Sequence, residues 1–244
     1  MRLCSNAGAA ERGVERKEGT RMRKKPICAG PCGYLGVKRF LDVLLGGVLL
    51  LALSPVLLVC AAAVRLDSKG PVLFRQQRVG RKGKLFWVYK FRTMYVQAPA
   101  NLATAQMTDS RRYITRVGRV LRRASLDELP QLLNVLAGDM SLVGPRPLIP
   151  AEERVHTWRR QYGVYAVRPG ITGLAQVKGR DNLSDWQKIR WDRLYVQRVS
   201  LAMDFRVLAA TVVVVVTHRH YAEGGQTVQA PSVRMQGSPR KKAS

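Results

Sequence analysis

From Val43 to Val64 the chain runs for 22 residues without a charged side chain, most of them Leu, Val and Ala. A helix of that length can cross a bilayer. One that stays apolar around its whole circumference for about six turns is rarely the core helix of a soluble protein. Ser54-Pro55 lies at the middle of the run. A proline there removes a helical hydrogen bond and crowds the preceding turn, so the helix should kink. A neighbouring serine hydroxyl can bond the freed carbonyl, which lipid cannot do. Basic residues flank both ends, Lys38 and Arg39 before the run and Arg65 and Lys69 after it. Lys and Arg tend to stay cytoplasmic, and a straight span would strand one flank outside. The sequence therefore predicts a re-entrant helical hairpin over residues 37–66, broken at Ser54 and Pro55. Asp42 is expected near the headgroups, within reach of Lys38 one turn back. A second apolar stretch, Val207 to Val216, is too short to cross as a helix; core strand, core helix and interfacial helix remain open.

The 244 residues suffice for one domain with a core, plus tails. Residues 67–221 are read as that domain. Forty-two Lys and Arg against 16 Asp and Glu leave a formal charge of +26. Such a balance favours an anionic partner, whether a membrane leaflet, a phosphate-bearing substrate or nucleic acid. Residues 1–36 are polar, basic and Gly-rich without the layout of a secretory signal, and 222–244 are rich in Gly, Ser, Pro and Gln. Both are read as disordered. Cys4, Cys28, Cys32 and Cys60 lack metal-site spacing, so they read as free thiols in a reducing cytosol.

Beyond the apolar run, Val72–Arg78 and Leu85–Phe91 are short β-rich segments joined by Gly80-Arg81-Lys82-Gly83, the pattern of a hairpin. Lys90 and Arg92, at alternate strand positions, would face one side and could clamp phosphates. Residues 95–110 read as a loop. Arg111 to Arg123 reads as an amphipathic helix with Ile114, Val117 and Leu121 on one face. Its arginines, Arg122 and Arg123 among them, suit anionic headgroups or a substrate phosphate. In Ser125-Leu126-Asp127-Glu128-Leu129-Pro130-Gln131, Ser125 and Glu128 stand at capping-box spacing, so on spacing alone Asp127 and Glu128 merely begin a helix. Pro130 disturbs that picture and predicts an irregular first turn or a later start. Two prolines fix the backbone around Arg146, which suits phosphate recognition and a structural ion pair equally. Trp186, Trp191 and Tyr195 mark a helix with an aromatic packing face.

Seven ordered motifs carry a resemblance. They are Lys38-Arg39 with Asp42, Ser54-Pro55, Gly70-Pro71-Val72, Lys90-Phe91-Arg92-Thr93-Met94, Ser125 to Gln131, Ser141-Leu142-Val143-Gly144-Pro145-Arg146-Pro147, and Arg168-Pro169-Gly170-Ile171-Thr172-Gly173. Over residues 38–217 the chain resembles the bacterial sugar transferases, polyprenyl-phosphate phosphoglycosyl transferases that begin envelope-glycan assembly. With no four-helix membrane block ahead of the core, it is similar to the small members. The resemblance implies a monotopic membrane protein of mixed α/β, mainly helical fold, with a small β-hairpin in its catalytic domain. It implies a place on the bacterial inner membrane with that domain facing the cytoplasm. It further implies Asp127 as nucleophile, Glu128 as a ligand of Mg²⁺, a UDP-sugar donor and an undecaprenyl phosphate acceptor. Arg146, Lys90, Arg92, Arg122 and Arg123 would bind substrate. Products of such chemistry feed exopolysaccharide, O-antigen lipopolysaccharide or glycoconjugate assembly.

A carboxylate that attacks phosphorus divides one transfer into two easier ones. Two other readings stand beside this one: a non-catalytic basic protein of membrane surfaces or nucleic acid, and an inactive scaffold of the same family. The charge alone supports the first, without any zinc-finger spacing or RNA-binding strand signature, so no nucleic-acid partner is expected.

Overall fold

The computed structural model describes residues 33–98, 110–179 and 182–217. The predicted tails lie outside these residues, apart from the last four positions of the first, as do Cys4, Cys28, Cys32 and most of the 95–110 loop. Cys60 is a free, buried thiol.

Helix α1 (Tyr34–Ala52) starts three residues before the predicted boundary and stops at Leu53; α2 (Ser54–Asp67) follows at once. The two helices are bent by 61°. Pro55 cannot donate to Leu51, and the Ser54 hydroxyl takes that carbonyl instead at 2.7 Å. Among the described residues no single helix is long and apolar enough to cross a membrane; α1 and α2 reach that length and composition only when counted together across the bend. Around the bend the apolar side chains are exposed, with Leu51 at 76 % and Leu58 at 72 %.

Both feet of this hairpin are fastened to one body. On α1, Asp42 is buried against the body, with the predicted Lys38 partner one turn back. Its carboxylate accepts from the Leu142 amide at 3.0 Å and stands 3.8 Å from Lys38. Lys38 makes its closer pair with Asp204, at 2.6 Å. The Tyr34 hydroxyl donates to the same Asp204 carboxylate, and the Tyr195 hydroxyl lies 2.7 Å from its other oxygen. On α2, Cys60 and Val64 pack with Phe91 and Leu121.

Strands β1 (Leu73–Val79) and β2 (Leu85–Phe91) form the expected antiparallel hairpin, Leu73 opposite Phe91 and Val79 opposite Leu85. Lys82 takes the left-handed conformation in the turn, φ 57°. Helix α3 (Arg116–Arg123) is shorter than predicted, because Thr115 caps it by accepting from the Gly118 amide. Helix α4 (Gln131–Ala137) packs on α1, where a Cβ on Gly46 would come within 3.3 Å of Val135. Next come β3 (Ser141–Val143), α5 (Glu153–Gln161), β4 (Gly170–Thr172), α6 (Leu174–Lys178), α7 (Asp185–Gln197) and α8 (Leu201–Val216). The second apolar stretch is thus the end of a helix that Ser200 caps. β3 and β4 pair in parallel. The main core gathers Val88 of β2, Val135 of α4, Val143 of β3 and Tyr195 of α7.

Replacing Pro55 with Ala restores the missing amide donor. Spin labels at the exposed Val37 and Leu66 should then move apart, read by double electron–electron resonance. An unchanged distance would mean that the two anchored feet, not the proline, set the angle.

Candidate active site

Three elements meet where the acidic pair lies. Residues Leu126–Glu128 form one 3-10 turn between α3 and α4, and the helix proper starts only after Pro130. Ser125 makes no cap: it sits in the left-handed region at φ 56°, which is strained for a side chain with a Cβ. The predicted capping box is therefore not formed, while the irregular start required by Pro130 is. In a 3-10 turn, neighbouring side chains diverge by about 120°, so Asp127 and Glu128 enter different surroundings.

Glu128 is buried, and its Oε1 accepts from Lys90 Nζ at 2.8 Å and from Arg146 at 3.1 Å. Lys90 comes from the end of β2 and Arg146 from the loop after β3. Asp127 is half-buried and makes no hydrogen bond or ion pair among the described residues. Burial raises its pKa above the usual carboxylate range, and the neighbouring charge of Glu128 adds to this. Lys90, Arg122 and Arg146 pull the other way without overcoming it. Burial likewise lowers the pKa of Lys90, against the attraction of Glu128.

The supporting shell was only partly visible in the sequence. Asn134, fully buried on α4, accepts from the Tyr89 amide and donates to the Trp87 carbonyl. It stitches α4 to the edge of β2 and thereby sets Lys90 against Glu128. Its one sequence signal is an amide inside an otherwise apolar helix face. Arg159 on α5 donates to the Arg146 carbonyl at 2.7 Å and to Asp192 of α7 at 2.6 Å. The arginine loop is thus held from behind by a buried pair. The ion-pair reading of Arg146 is observed, and it leaves the guanidinium beside both carboxylates.

β3 and β4 approach so closely at their ends that a Cβ on Gly170 would lie 2.1 Å from the Gly144 nitrogen. One on Gly173 would lie 2.1 Å from the Gly144 carbonyl oxygen. The glycines of two motifs therefore exist to let two backbones touch, which places the Arg146 loop.

Arg92 does not stand beside Lys90. β2 ends at Phe91, so the alternation lapses, and the Arg92 guanidinium turns onto the carbonyls of Ser68 (2.7 Å) and Lys69 (2.9 Å). It fastens the second foot of the helical hairpin. Arg122 donates to the Thr93 hydroxyl at 2.7 Å and lies near enough to act on Asp127 by its charge. Arg123 is exposed at the end of α3.

Among the described residues no three His, Cys, Asp or Glu side chains gather as a metal site. Two adjacent carboxylates, one of them raised in pKa by burial and then by the other's charge, still suit a hard cation. Mg²⁺ takes one or two protein carboxylates and completes its shell with water and substrate phosphate.

A carboxylate attacks phosphorus only when ionised, and Asp127 is proposed below as the attacking group. Its raised pKa puts the acid limb of donor turnover above the ordinary aspartate value of about 3.9. Activity should be full above that limb and lost as pH falls through it. A pH profile of UMP release from donor alone tests this, and a limb at or below the ordinary value would contradict it.

Comparison with known proteins places the chain. Residues 33–218 match the family model described as bacterial sugar transferase. The chain belongs to that family and is an enzyme of the sugar-phosphate transferase kind. The UDP-glucose:undecaprenyl-phosphate glucose-1-phosphate transferase of Caulobacter vibrioides is 46 % identical over 183 residues, 72 % of this chain and 68 % of the relative. The Klebsiella pneumoniae protein of that name is 43 % identical over 182 residues, and the chain spans 39 % of its length. The exopolysaccharide production protein PSS of Rhizobium leguminosarum is 42 % identical over 192 residues, 73 % of this chain and 94 % of the relative.

Proposed function

We propose that the chain moves a sugar 1-phosphate from a UDP-sugar to undecaprenyl phosphate, with Asp127 as covalent carrier. The observation that supports this best is the contrast within the acidic pair. Glu128 is clamped by Lys90 and Arg146, whereas Asp127 is half-buried, unpaired and in reach of three cationic fields. An unpaired carboxylate beside fixed positive charge is suited to attack an anionic phosphorus centre.

An Asp127 oxygen attacks the β-phosphorus of the donor, and the bond from that phosphorus to the bridging oxygen breaks. UMP leaves with the electron pair, and the sugar phosphate stays on Asp127. An oxygen of the lipid phosphate then attacks the same phosphorus, the aspartyl bond breaks, and the carboxylate is regenerated. Lys90, Arg122 and Arg146 hold positive charge around the transferred group, with Arg146 held in place by Arg159. Glu128 would hold Mg²⁺, which supplies charge neutralisation on the diphosphate when bound.

The names of the Caulobacter and Klebsiella relatives make UDP-glucose the first donor to test. The Rhizobium name supports a step in exopolysaccharide assembly. The exposed apolar bend of α1 and α2, with both feet in one body, supports monotopic attachment to the cytoplasmic face of the inner membrane. A panel of UDP-sugars with undecaprenyl phosphate in detergent, followed by UMP release, tests the assignment. UDP-glucose should give the highest rate; no release from any UDP-sugar would overturn the transferase reading.

A further inference from the structure

A cavity of about 300 Å³ opens at the foot of α1, lined by Lys38, Arg39, Asp42, Arg81 and Arg168. None of its residues belongs to the acidic pair or its clamp. Arg39 donates to the carbonyls of Val135 and Leu136, and Arg168 to that of Gly138, all at the C-terminal end of α4. Asp127 and Glu128 precede the other end of that seven-residue helix, about 10 Å away at 1.5 Å per residue.

The charge in this cavity is unbalanced. Lys38 is matched by Asp204 and Asp42. The three guanidiniums are anchored only on neutral carbonyls, Arg81 through Nε on Ala166 at 3.1 Å. Among the described residues none of the three pairs with a carboxylate. Burial lowers the pKa of Arg168, and repulsion from Arg39 and Arg81 lowers it further, against the smaller attraction of Asp42. Three arginines drawn from α1, the β1–β2 turn and the segment before β4 thus converge on one space whose single lining carboxylate, Asp42, is already engaged by Lys38 and the Leu142 amide. Planar guanidiniums suit the oxygens of a phosphate, which accept paired hydrogen bonds.

We propose that this cavity binds the phosphate of an anionic phospholipid headgroup. Its position favours a lipid over a soluble phosphate. The uncharged run of α1 begins four residues after Arg39, and the flanking Val37 and Phe40 are 54 % and 67 % exposed. A headgroup held here would sit where the chain enters lipid and would brace the first foot of the hairpin. The lipid source rests on the membrane attachment proposed above.

The test uses the full chain in neutral detergent, titrated separately with short-chain phosphatidylglycerol, phosphatidylcholine of equal chain length and inorganic phosphate. The thermal midpoint reports binding, since a ligand of the folded state raises it. UMP release from donor alone is read on the same samples. Phosphatidylglycerol should raise the midpoint and phosphatidylcholine should not. The double variant Arg81→Gln, Arg168→Gln should bind phosphatidylglycerol about 30-fold more weakly, at about 1 kcal/mol per basic residue. Its UMP release should stay within about twofold of wild type. The single variant Arg81→Gln, on an exposed turn, should lose about fivefold and serves if the double variant does not fold. Equal response to the two lipids, or an unchanged affinity in the variants, overturns the proposal. An equal rise with inorganic phosphate overturns the lipid assignment. Phosphatidylglycerol binding that depends on these arginines, in protein that releases no UMP, upholds the cavity and sinks the transferase reading instead.

Discussion

Asp127→Asn should lower turnover by a factor of 1,000 or more, on the order of what removing a covalent nucleophile costs elsewhere. The substitution keeps size and shape while removing the attacking oxygen's charge. It should not cost stability. Burial and Glu128 raise the pKa of Asp127, so its ionised form is disfavoured in the folded protein relative to the unfolded chain. That penalty is absent below the ordinary pKa and is present in full above the raised one. At neutral pH the asparagine variant should therefore melt at or above the wild-type temperature, while UMP release from donor disappears. A thermal melt beside a UMP assay checks both. Turnover near the wild-type rate would remove Asp127 from the chemistry, and a large drop in melting temperature would make the loss structural.

Gly170→Ala should cost about 4 kcal/mol, the range reserved for named structural breaks. The new Cβ would stand 2.1 Å from the Gly144 nitrogen and 2.3 Å from the Thr172 carbonyl oxygen. Both are backbone atoms, so no side chain can swing aside. β3 and β4 would have to part, and the Arg146 loop with them, moving one of the two cations off Glu128. Urea unfolding followed by tryptophan fluorescence should show the midpoint fall sharply. A variant of wild-type stability would mean that the crossing of the two strands is looser than these distances require.

How far the sequence could be read depended on how local each cause is. Ser54-Pro55 announced the break because covalent geometry alone removes the amide, and the serine compensates within the same turn. The β1–β2 hairpin was legible from its turn residues. Pro130 foretold the late start of α4, but nothing local foretold the left-handed Ser125 that cancels the capping box. Lys38 was legible as a partner of Asp42 one turn away, but the amide that Asp42 also binds, on Leu142, lies 100 residues away and leaves no local signal. Arg92 looked like a neighbour of Lys90 because strand alternation was extended one residue past the end of β2. The acidic pair was conspicuous only as part of a motif; by spacing it resembled a helix start. Lys90, Arg146, Asn134 and Arg159 become one arrangement only through long-range packing, which leaves no periodicity to detect.

The most direct measurement is intact-protein mass spectrometry after incubation with UDP-glucose and Mg²⁺ but no lipid acceptor. A covalent carrier should gain the mass of one hexose phosphate, with UMP released in equal amount. Peptide mapping should place the addition on Asp127, and the Asp127→Asn variant should stay unmodified. Wild-type protein that makes lipid product under the same conditions, yet never carries the sugar phosphate and releases UMP only once acceptor is added, would contradict the covalent mechanism.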